Sequence, residues 1–595
     1  MTLLLTHGRL FLWLAGWRLY ALVVLTLIMG LVDIIGLSMI VPILEIGINA
    51  EGGKSSISHA VSSVLLAVGL TPTLKLLLAL VVLIFLLKAV IVFAADQTIA
   101  RIQTTVQEAL RMQLTERVFA ANLPYLLRTR VGETANVFVT EIQQTVGNLK
   151  ALSMLACAVI LFLVYFSASL SANWLMGLAM IGLAVVLLWA FRGINRMTRK
   201  LSFKIAGNNE RIQNQILQGL NNVKYLKATE SKAPVIRHLR TSLNQRRKDL
   251  ISIHVLRAFV AASIEPIAVC VAAIFILLSI TGQERTLGAA VLPLLFLYRT
   301  VSKVGEIQKS WQSFLRTAGS VASFTKTWDA LADQAESTSG LPCPELRKSI
   351  QLRDVTFAWG TSDKPLLDRV SIDIPRNSVV GLTGPTGAGK TTLVDLVCAV
   401  LPSRTGSVTW DNSNYCEFDP RSIRSRIGYV TQDPVIFNDT IANNITLWES
   451  CDLPIGERDS RMRSAAAAAQ CLEFIESTEH QFDTEIGERG FRLSGGQRQR
   501  IAIARELYRQ PEILIFDEGT SSLDVNTEAA LQETLDALGG ISTLIIIAHR
   551  LSTLKHCNRI YVLEQGRIIE SGSWDELMAV KAGWFAKMTQ LQGSA

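Results

Sequence analysis

Six long, predominantly apolar stretches recur in the first half of the chain, at residues 19–48, 72–97, 150–169, 173–193, 256–281 and 285–305. A helix of about 20 apolar residues crosses a hydrocarbon layer of ~30 Å, so each stretch predicts a membrane-spanning helix. Between them, residues 97–149 and 194–255 keep helix formers and heptad-like apolar spacing, with few breakers apart from Pro124 and Pro234. Runs of about 25 residues reach nearly 40 Å beyond the layer, which leaves room in each loop for a down-and-back helical pair with a short helix at its tip. In "SISHAVSSVLLAVGL", residues 56–70, Ile57, Val61, Val64, Leu65 and Val68 share one helical face. That stretch is too short to span and predicts an amphipathic helix on the outer surface.

The periodicity changes after about residue 330. "ADQAESTSGLPCPELRK" reads as a linker, and short β-rich runs follow: "SIQLRDVTFAW", then "VSIDIPRNSVVGLTG" leading into a glycine-rich turn and an apolar helix. The expected organisation is a transmembrane domain over 1–325, a linker over 326–348 and a nucleotide-binding domain over 349–595. The fold class is an α-helical membrane domain of six transmembrane helices with long cytoplasmic extensions, joined to an α/β P-loop ATPase domain.

Composition supports this division. Apolar residues make up 49% of the 595 and charged residues 18%, and the mean hydropathy is +0.33, as for a membrane protein with a soluble part. Residues 1–348 carry 34 Lys and Arg against 18 Asp and Glu, a net +16; residues 349–595 carry 24 against 32, a net −8. Because the soluble half is acidic, the basic pI does not indicate nucleic-acid binding. Residues 192–257 hold fifteen Lys or Arg and three acids, whereas the outer loops hold almost none. The positive-inside bias therefore puts both termini and the soluble domain in the cytosol of a multi-pass cell-membrane protein. The apolar N-terminus runs on past residue 40 with no small-residue cleavage pattern, which makes it a first span rather than a removable signal. Eight cysteines show no CxxC pair and read as reduced or buried thiols.

Two motifs carry phosphate chemistry. In "GPTGAGKTT", Gly384, Thr386, Gly387, Ala388 and Gly389 form a loop whose backbone N–H groups curl around a β-phosphate at a helix start. Lys390 reaches the β and γ oxygens, Thr391 is placed for Mg²⁺, and Thr392 completes the turn. In "PEILIFDEGTSSLD", a buried strand run ends in Asp517, placed for Mg²⁺, and Glu518, placed to polarise a water against the γ-phosphate. His549 follows another buried run, "TLIIIAH", within reach of the γ-phosphate. Asp33, Lys88, Glu265 and Arg299 fall within or near the predicted spans and are expected to face the bundle interior or a wet cavity.

With these pieces in this order, residues 350–580 resemble an ABC-type ATPase domain, and the whole chain resembles an ABC exporter half-transporter. "LSGGQ", Leu493 to Gln497, is the most specific sign. Physically, Ser494 as N-cap with Gln497 at N3 makes a capping box, and Gly495 and Gly496 let backbone N–H groups approach an anion. The resemblance implies that this loop caps ATP held by a partner subunit, so that two copies share two sites. It further implies that Trp359 stacks on adenine, that Gln432 touches Mg²⁺ and faces the transmembrane helices, and that Asp524 links the two sites. "TEIGERG", residues 484–490, resembles a segment characteristic of exporters. Gly519 and Ser522 stand where alanines are common in the "DEATSALD" pattern.

The implied activity is ATP-driven export by alternating access, with ATP and Mg²⁺ as cofactors and a second copy of the chain as partner. An ATP-gated channel would tolerate loss of the catalytic acid, but Glu518 is present, and a soluble ABC ATPase is at odds with six spans. "VDIIGLSMIVPIL" and the helix after it resemble lipid-linked oligosaccharide flippases, which points to a membrane lipid or lipid-linked substrate. A multidrug or general hydrophobic-compound exporter is the alternative.

Overall fold

The computed structural model describes residues 16–47, 56–67, 69–71, 73–172, 182, 185, 189–281, 287–360, 364–448, 454–517, 542–548 and 550–593. The first apolar stretch forms helix α1, Trp17–Ser38, continued after a turn at Met39 by Ile40–Gly47. The predicted amphipathic helix is α2, Ser56–Ala67. Leu65 and Val61 pack against Met39 and Leu77, whereas Val64, expected on the same face, is 64% exposed. The second span and the polar run after it make one helix, α3, Leu74–Ala120, about 70 Å long at 1.5 Å per residue. Thr73 caps it by accepting from the backbone N–H of Leu76.

Both down-and-back pairs form. After α3 comes the short helix Leu123–Arg128, then Val131–Asn136 and a π-helical turn, Val137–Glu141, which leads into α4, Ile142–Ala172. The second pair is α5, Arg192–Asn221, the short helix Val223–Ala228, and α6, Lys232–Thr281. Pro124 and Pro234 sit in the first turns of their helices, where N–H groups have no intrahelical acceptor and proline costs no hydrogen bond. Asp249 clips α5 to α6: it accepts from Lys204 at 2.9 Å and Asn208 at 3.2 Å. Helices α7, Leu287–Arg316, and α8, Ala318–Asp333, follow. Among the described residues, four helices are long and apolar enough to cross a membrane. The predicted span 173–193 lies largely outside the described residues, and 285–305 falls mostly on α7.

The chain divides into two compact units, one of residues 1–121 and 128–335, the other of residues 122–127 and 336–595. Residues 326–333, expected to belong to the linker, are instead the last two turns of α8, because Phe324, Thr327 and Leu331 recur at helical spacing and are buried. The remainder of the expected linker is partly core as well: Cys343 and Leu346 are buried with the strands of the second unit. Leu123, expected in the membrane domain, also packs against that core.

The second unit contains two sheets. Strands β1, Ser349–Phe357, β2, Leu367–Pro375, β4, Thr405–Trp410, and β5, Ser413–Asn414, form an antiparallel sheet ordered β2-β1-β4-β5. The larger sheet is ordered β10-β9-β3-β8-β7-β6, from β3, Val379–Thr383, β6, Ile427–Val430, β7, Ile513–Asp517, β8, Thr543–Ile547, β9, Arg559–Glu564, and β10, Arg567–Gly572. All its pairings are parallel except β9 with β10. Strands β7 and β8 are buried at every position, which is why their sequences read as unbroken apolar runs instead of alternating. Helix α9, Lys390–Val397, starts behind β3, and α10, Gly495–Tyr508, packs across Leu514 and Phe516 in a second core.

Candidate functional site

Parallel strands β3, β8 and β7 lie side by side, so their C-terminal ends bring the glycine-rich loop, Ala548 and Asp517 to one edge of the sheet. Crevices at that edge are the usual ligand sites of open α/β sheets. Here the edge borders a cavity of about 590 Å³, lined by Thr386, Gly387, Gly389, Lys390, Thr391 and Thr392 of the loop together with Leu366, Gln432, Asp517 and Ile547.

The loop's shape depends on its glycines. Gly384 has φ 140°, and a Cβ there would lie 1.9 Å from the Leu563 carbonyl oxygen; Gly389 has φ 102° and is the N-cap of α9. These values lie in regions that L side chains rarely adopt. Ala388 is buried, and its N–H donates to the Pro385 carbonyl at 3.2 Å. Lys390 is 6% exposed, and its ammonium donates to the carbonyls of Gly384 at 2.8 Å and Pro385 at 3.2 Å. Burial pulls its pKa down, and the nearby Asp517 opposes that shift.

Asp517 is the centre of a small oxygen-rich cluster. Its Oδ2 accepts from the Thr391 hydroxyl at 3.4 Å and from the Tyr429 hydroxyl at 3.1 Å. Asp395, one helix turn beyond Thr391, has its carboxyl pushed up to about 6 by burial and then by Asp517. Carboxylate, hydroxyl and amide oxygens gathered around excess negative charge suit a hard divalent cation.

At the start of α10 the predicted capping box is present. The Ser494 hydroxyl accepts from the Gln497 N–H at 3.2 Å, and Gln497 Oε1 accepts from the Ser494 N–H at 2.9 Å. Gly496 is buried, while a Cβ on Gly495 would meet no described residue within 4 Å outside its own helix turn. Among the described residues, none of 493–497 lines the cavity beside Lys390. Trp359 is 37% exposed and stands edge-on to Phe357, with ring centroids 5.2 Å apart; it too is outside that lining. Segment 484–490 bridges Glu485 to Thr440 and buries Ile486. Glu518, Asp524 and His549 lie outside the described residues.

Sequence reasoning missed Tyr429 and Leu366. Tyr429 lies on β6 opposite Ile515 of β7, three residues before Gln432 in "YVTQ", and only the strand order brings it to Asp517. The described thiols are all free: Cys343, Cys398, Cys471 and Cys557 are buried, Cys157 is half-buried, and Cys270 and Cys416 are exposed.

Residues 19–300 match the ABC transporter transmembrane region, and residues 367–521 match the ABC transporter family. The heterocyst differentiation ATP-binding protein HepA of Nostoc sp. is 32% identical over 495 residues, covering 82% of this chain and 80% of its own length. An ATP-dependent lipid A-core flippase of Ralstonia nicotianae is 28% identical over 533 residues, 86% of this chain and 87% of its own. The beta-(1-->2)glucan export ATP-binding/permease protein NdvA of Rhizobium johnstonii is 39% identical over 265 residues, 44% of each chain. A solved bacterial Atm1-family ABC exporter with ATP bound shares the fold, with a TM-score of 0.80 over 97% of this chain and 98% of that one at 24% identity. With a helical membrane domain and an ATP-binding domain fused in one polypeptide, the chain belongs to the ABC transporters and is an exporter that couples ATP hydrolysis to transport.

Proposed function

We propose that two copies of this chain form a homodimer in the cell membrane, with termini and ATPase domains in the cytosol, which flips or exports a lipid-linked oligosaccharide or related lipid by alternating access. The observation that carries the dimer is Gly495. Outside its own helix turn, no described residue stands within 4 Å of where its Cβ would be, yet it opens a capped helix whose N–H groups suit an anion. A glycine with open space in front of it fits a surface that closes on ATP held by the other copy. The lipid reading draws on relatives named for lipid A-core flipping and for glucan export.

In this reading the loop 384–389 and Lys390 hold the phosphates, and Trp359 stacks on the adenine. Thr391, Asp517 and Gln432 would hold Mg²⁺, which supplies charge neutralisation on the phosphate oxygens. Glu518 orients and deprotonates the attacking water, and His549 donates to the γ-phosphate. Ser494, Gly495, Gly496 and Gln497 close over the γ-phosphate from the partner, and Asp524 links the two sites. Binding draws the two ATPase domains together and hydrolysis releases them, which turns the membrane helices between inward- and outward-facing forms.

Complementation tests the shared sites. Lys390→Ala subunits and Ser494→Arg subunits are each expected to be inactive alone. A mixed dimer is expected to recover one site and a substantial fraction of wild-type ATPase activity; no recovery in a verified heterodimer overturns the reading.

A further inference from the structure

The first unit encloses a cavity of about 480 Å³ whose wall carries four cations, Lys88, Arg299, Lys303 and Lys309, and two carboxylates, Asp96 and Glu306. Behind that wall Asp33 is buried at 1% exposure. Its Oδ1 accepts from the Lys88 ammonium and its Oδ2 from the Tyr165 hydroxyl. Arg299 Nε stands 3.8 Å from Oδ2, beyond hydrogen-bond reach. Four helices, α1, α3, α4 and α7, thus converge on one carboxylate.

The depth of this cluster follows from helix rise. Lys88 is about 21 Å along α3 from Leu74, and Arg299 about 18 Å along α7 from Leu287, so both lie towards the middle of a layer ~30 Å thick. Lys303 and Lys309 continue along α7 towards its polar end, and Lys303 is paired with Glu306 at 2.8 Å. Counting Asp33 with the wall, four cations face three carboxylates, and Lys309 is in no ion pair among the described residues. The remaining wall is largely apolar, including Met29, Val92, Ile99, Met154 and Leu161. A volume of this size falls within the range of ligand pockets.

A charge in mid-bilayer is costly and is kept only where it is paired or functional, and a purely structural carboxylate would need one cation. Here one carboxylate is set against two, and the second is held at a distance that leaves its guanidinium capacity for further acceptors. We propose that Lys88 and Arg299 seat the phosphate-bearing head group of a lipid substrate. Asp33 is a resident counter-ion that occupies the seat until the head group displaces it. The displaced carboxylate keeps the Tyr165 hydroxyl, while the lipid's phosphate oxygens take the Lys88 ammonium and bridge to Arg299. The lipid's hydrocarbon lies against the methionine and leucine side of the wall. This inference rests on the lipid-export reading and adds the chemistry that selects the cargo.

The test is equilibrium binding to the full-length purified dimer of four probes: polyprenyl pyrophosphate, the matching polyprenol, phosphatidic acid and inorganic pyrophosphate. Polyprenyl pyrophosphate is expected to bind at least tenfold tighter than polyprenol. Lys88→Gln and Arg299→Gln are each expected to weaken it tenfold or more, while Asp33→Asn, which removes the internal competitor, tightens it about threefold or more. Since Asp33→Asn leaves Lys88 unpaired in the bundle, the double variant Asp33→Asn with Lys88→Gln removes the pair together, and its melting temperature checks the fold. A double variant that melts like the wild type and still binds polyprenyl pyrophosphate as tightly shows that the pair takes no part in binding and overturns the proposal, as does polyprenol binding equal to its pyrophosphate. Inorganic pyrophosphate binding as tightly as the lipid overturns the head-group assignment in favour of a free anion. Phosphatidic acid binding that depends on Lys88 and Arg299, without polyprenyl pyrophosphate binding, upholds the seat and overturns the oligosaccharide-carrier reading.

Discussion

The guanidinium of Arg505, on the helix that begins at the Leu493–Gln497 motif, donates to the backbone carbonyl of Val435, three residues beyond Gln432, across 2.7 Å. The same side chain is 6% exposed and donates to the Asn444 carbonyl at 2.6 Å and to its side-chain oxygen at 3.1 Å. Asn444, fully buried, in turn accepts from the Phe437 N–H and donates to the carbonyls of Phe437 and Thr440. One planar cation therefore ties α10 to the segment 435–444. Arg505→Met leaves several buried acceptors without a donor and is expected to destabilise the ATPase domain by about 3 kcal/mol or more. Arg505→Lys keeps the charge but not the fork, and is expected to melt between the two with ATPase activity well below wild type. Thermal unfolding and ATP turnover, measured side by side, check both.

The parts of this site that are local in sequence were legible, and the parts that depend on strand order were not. The capping box of Ser494 and Gln497 needs only three residues of spacing, and the glycine-rich loop only the strand before it and the helix after it. Tyr429 and Asp517 are far apart in sequence and meet only because β6 and β7 are neighbours. Likewise Asp33, Lys88 and Arg299 were each conspicuous as charges in apolar stretches, but nothing in helical periodicity says that they share one centre, or that Glu265 is not among the ion-pair partners described there. The linker starts later than expected, and the Ser, Gly and Pro residues at 337–344 mask the few apolar residues around them, such as Cys343 and Leu346, that decide its packing.

Two glycines with opposite surroundings give opposite expectations. A Cβ at Gly384 collides with the Leu563 carbonyl oxygen at 1.9 Å, so Gly384→Ala is expected to lose nucleotide binding and lower the melting temperature of the domain. At Gly495 a Cβ meets no described residue outside its own helix turn, and alanine favours a helical position over glycine by up to ~1 kcal/mol. Gly495→Ala is therefore expected to leave the melting temperature unchanged or raised while ATPase activity falls. A Gly495→Ala protein with wild-type turnover would argue against closure on a partner's nucleotide.

In the helical unit, Gly319 at the start of α8 lies against α5. A Cβ there would be 2.5 Å from the Ser202 carbonyl oxygen and 2.8 Å from the Phe203 Cα, both backbone atoms. The Ser202 hydroxyl meanwhile accepts from the Gly319 N–H at 2.9 Å and donates to the Arg316 carbonyl at 2.6 Å. Gly319→Ala must separate the two helices and break that bridge, with an expected cost of about 2–3 kcal/mol. Ser202→Ala loses the bridge alone and is expected to cost about 1–2 kcal/mol. Unfolding of the detergent-solubilised protein followed by circular dichroism ranks the two variants.

The carboxyl of Asp395 makes stability depend on pH in a direction that can be worked out. Burial, and then Asp517, push it up to about 6 in the folded chain, against about 3.9 for a free aspartate. Between about pH 4 and pH 6 the folded state therefore holds the Asp395 proton more tightly than the unfolded state. Stability from this group is fully present below the lower value, is lost as pH rises through the window, and changes no further above it. Asp395→Asn removes that loss. In EDTA without nucleotide, the variant is expected to match the wild type's melting temperature near pH 4 and to exceed it by a few degrees at pH 7.5. Parallel melting curves across the range would mean that neither burial nor Asp517 raises the Asp395 carboxyl in the folded chain.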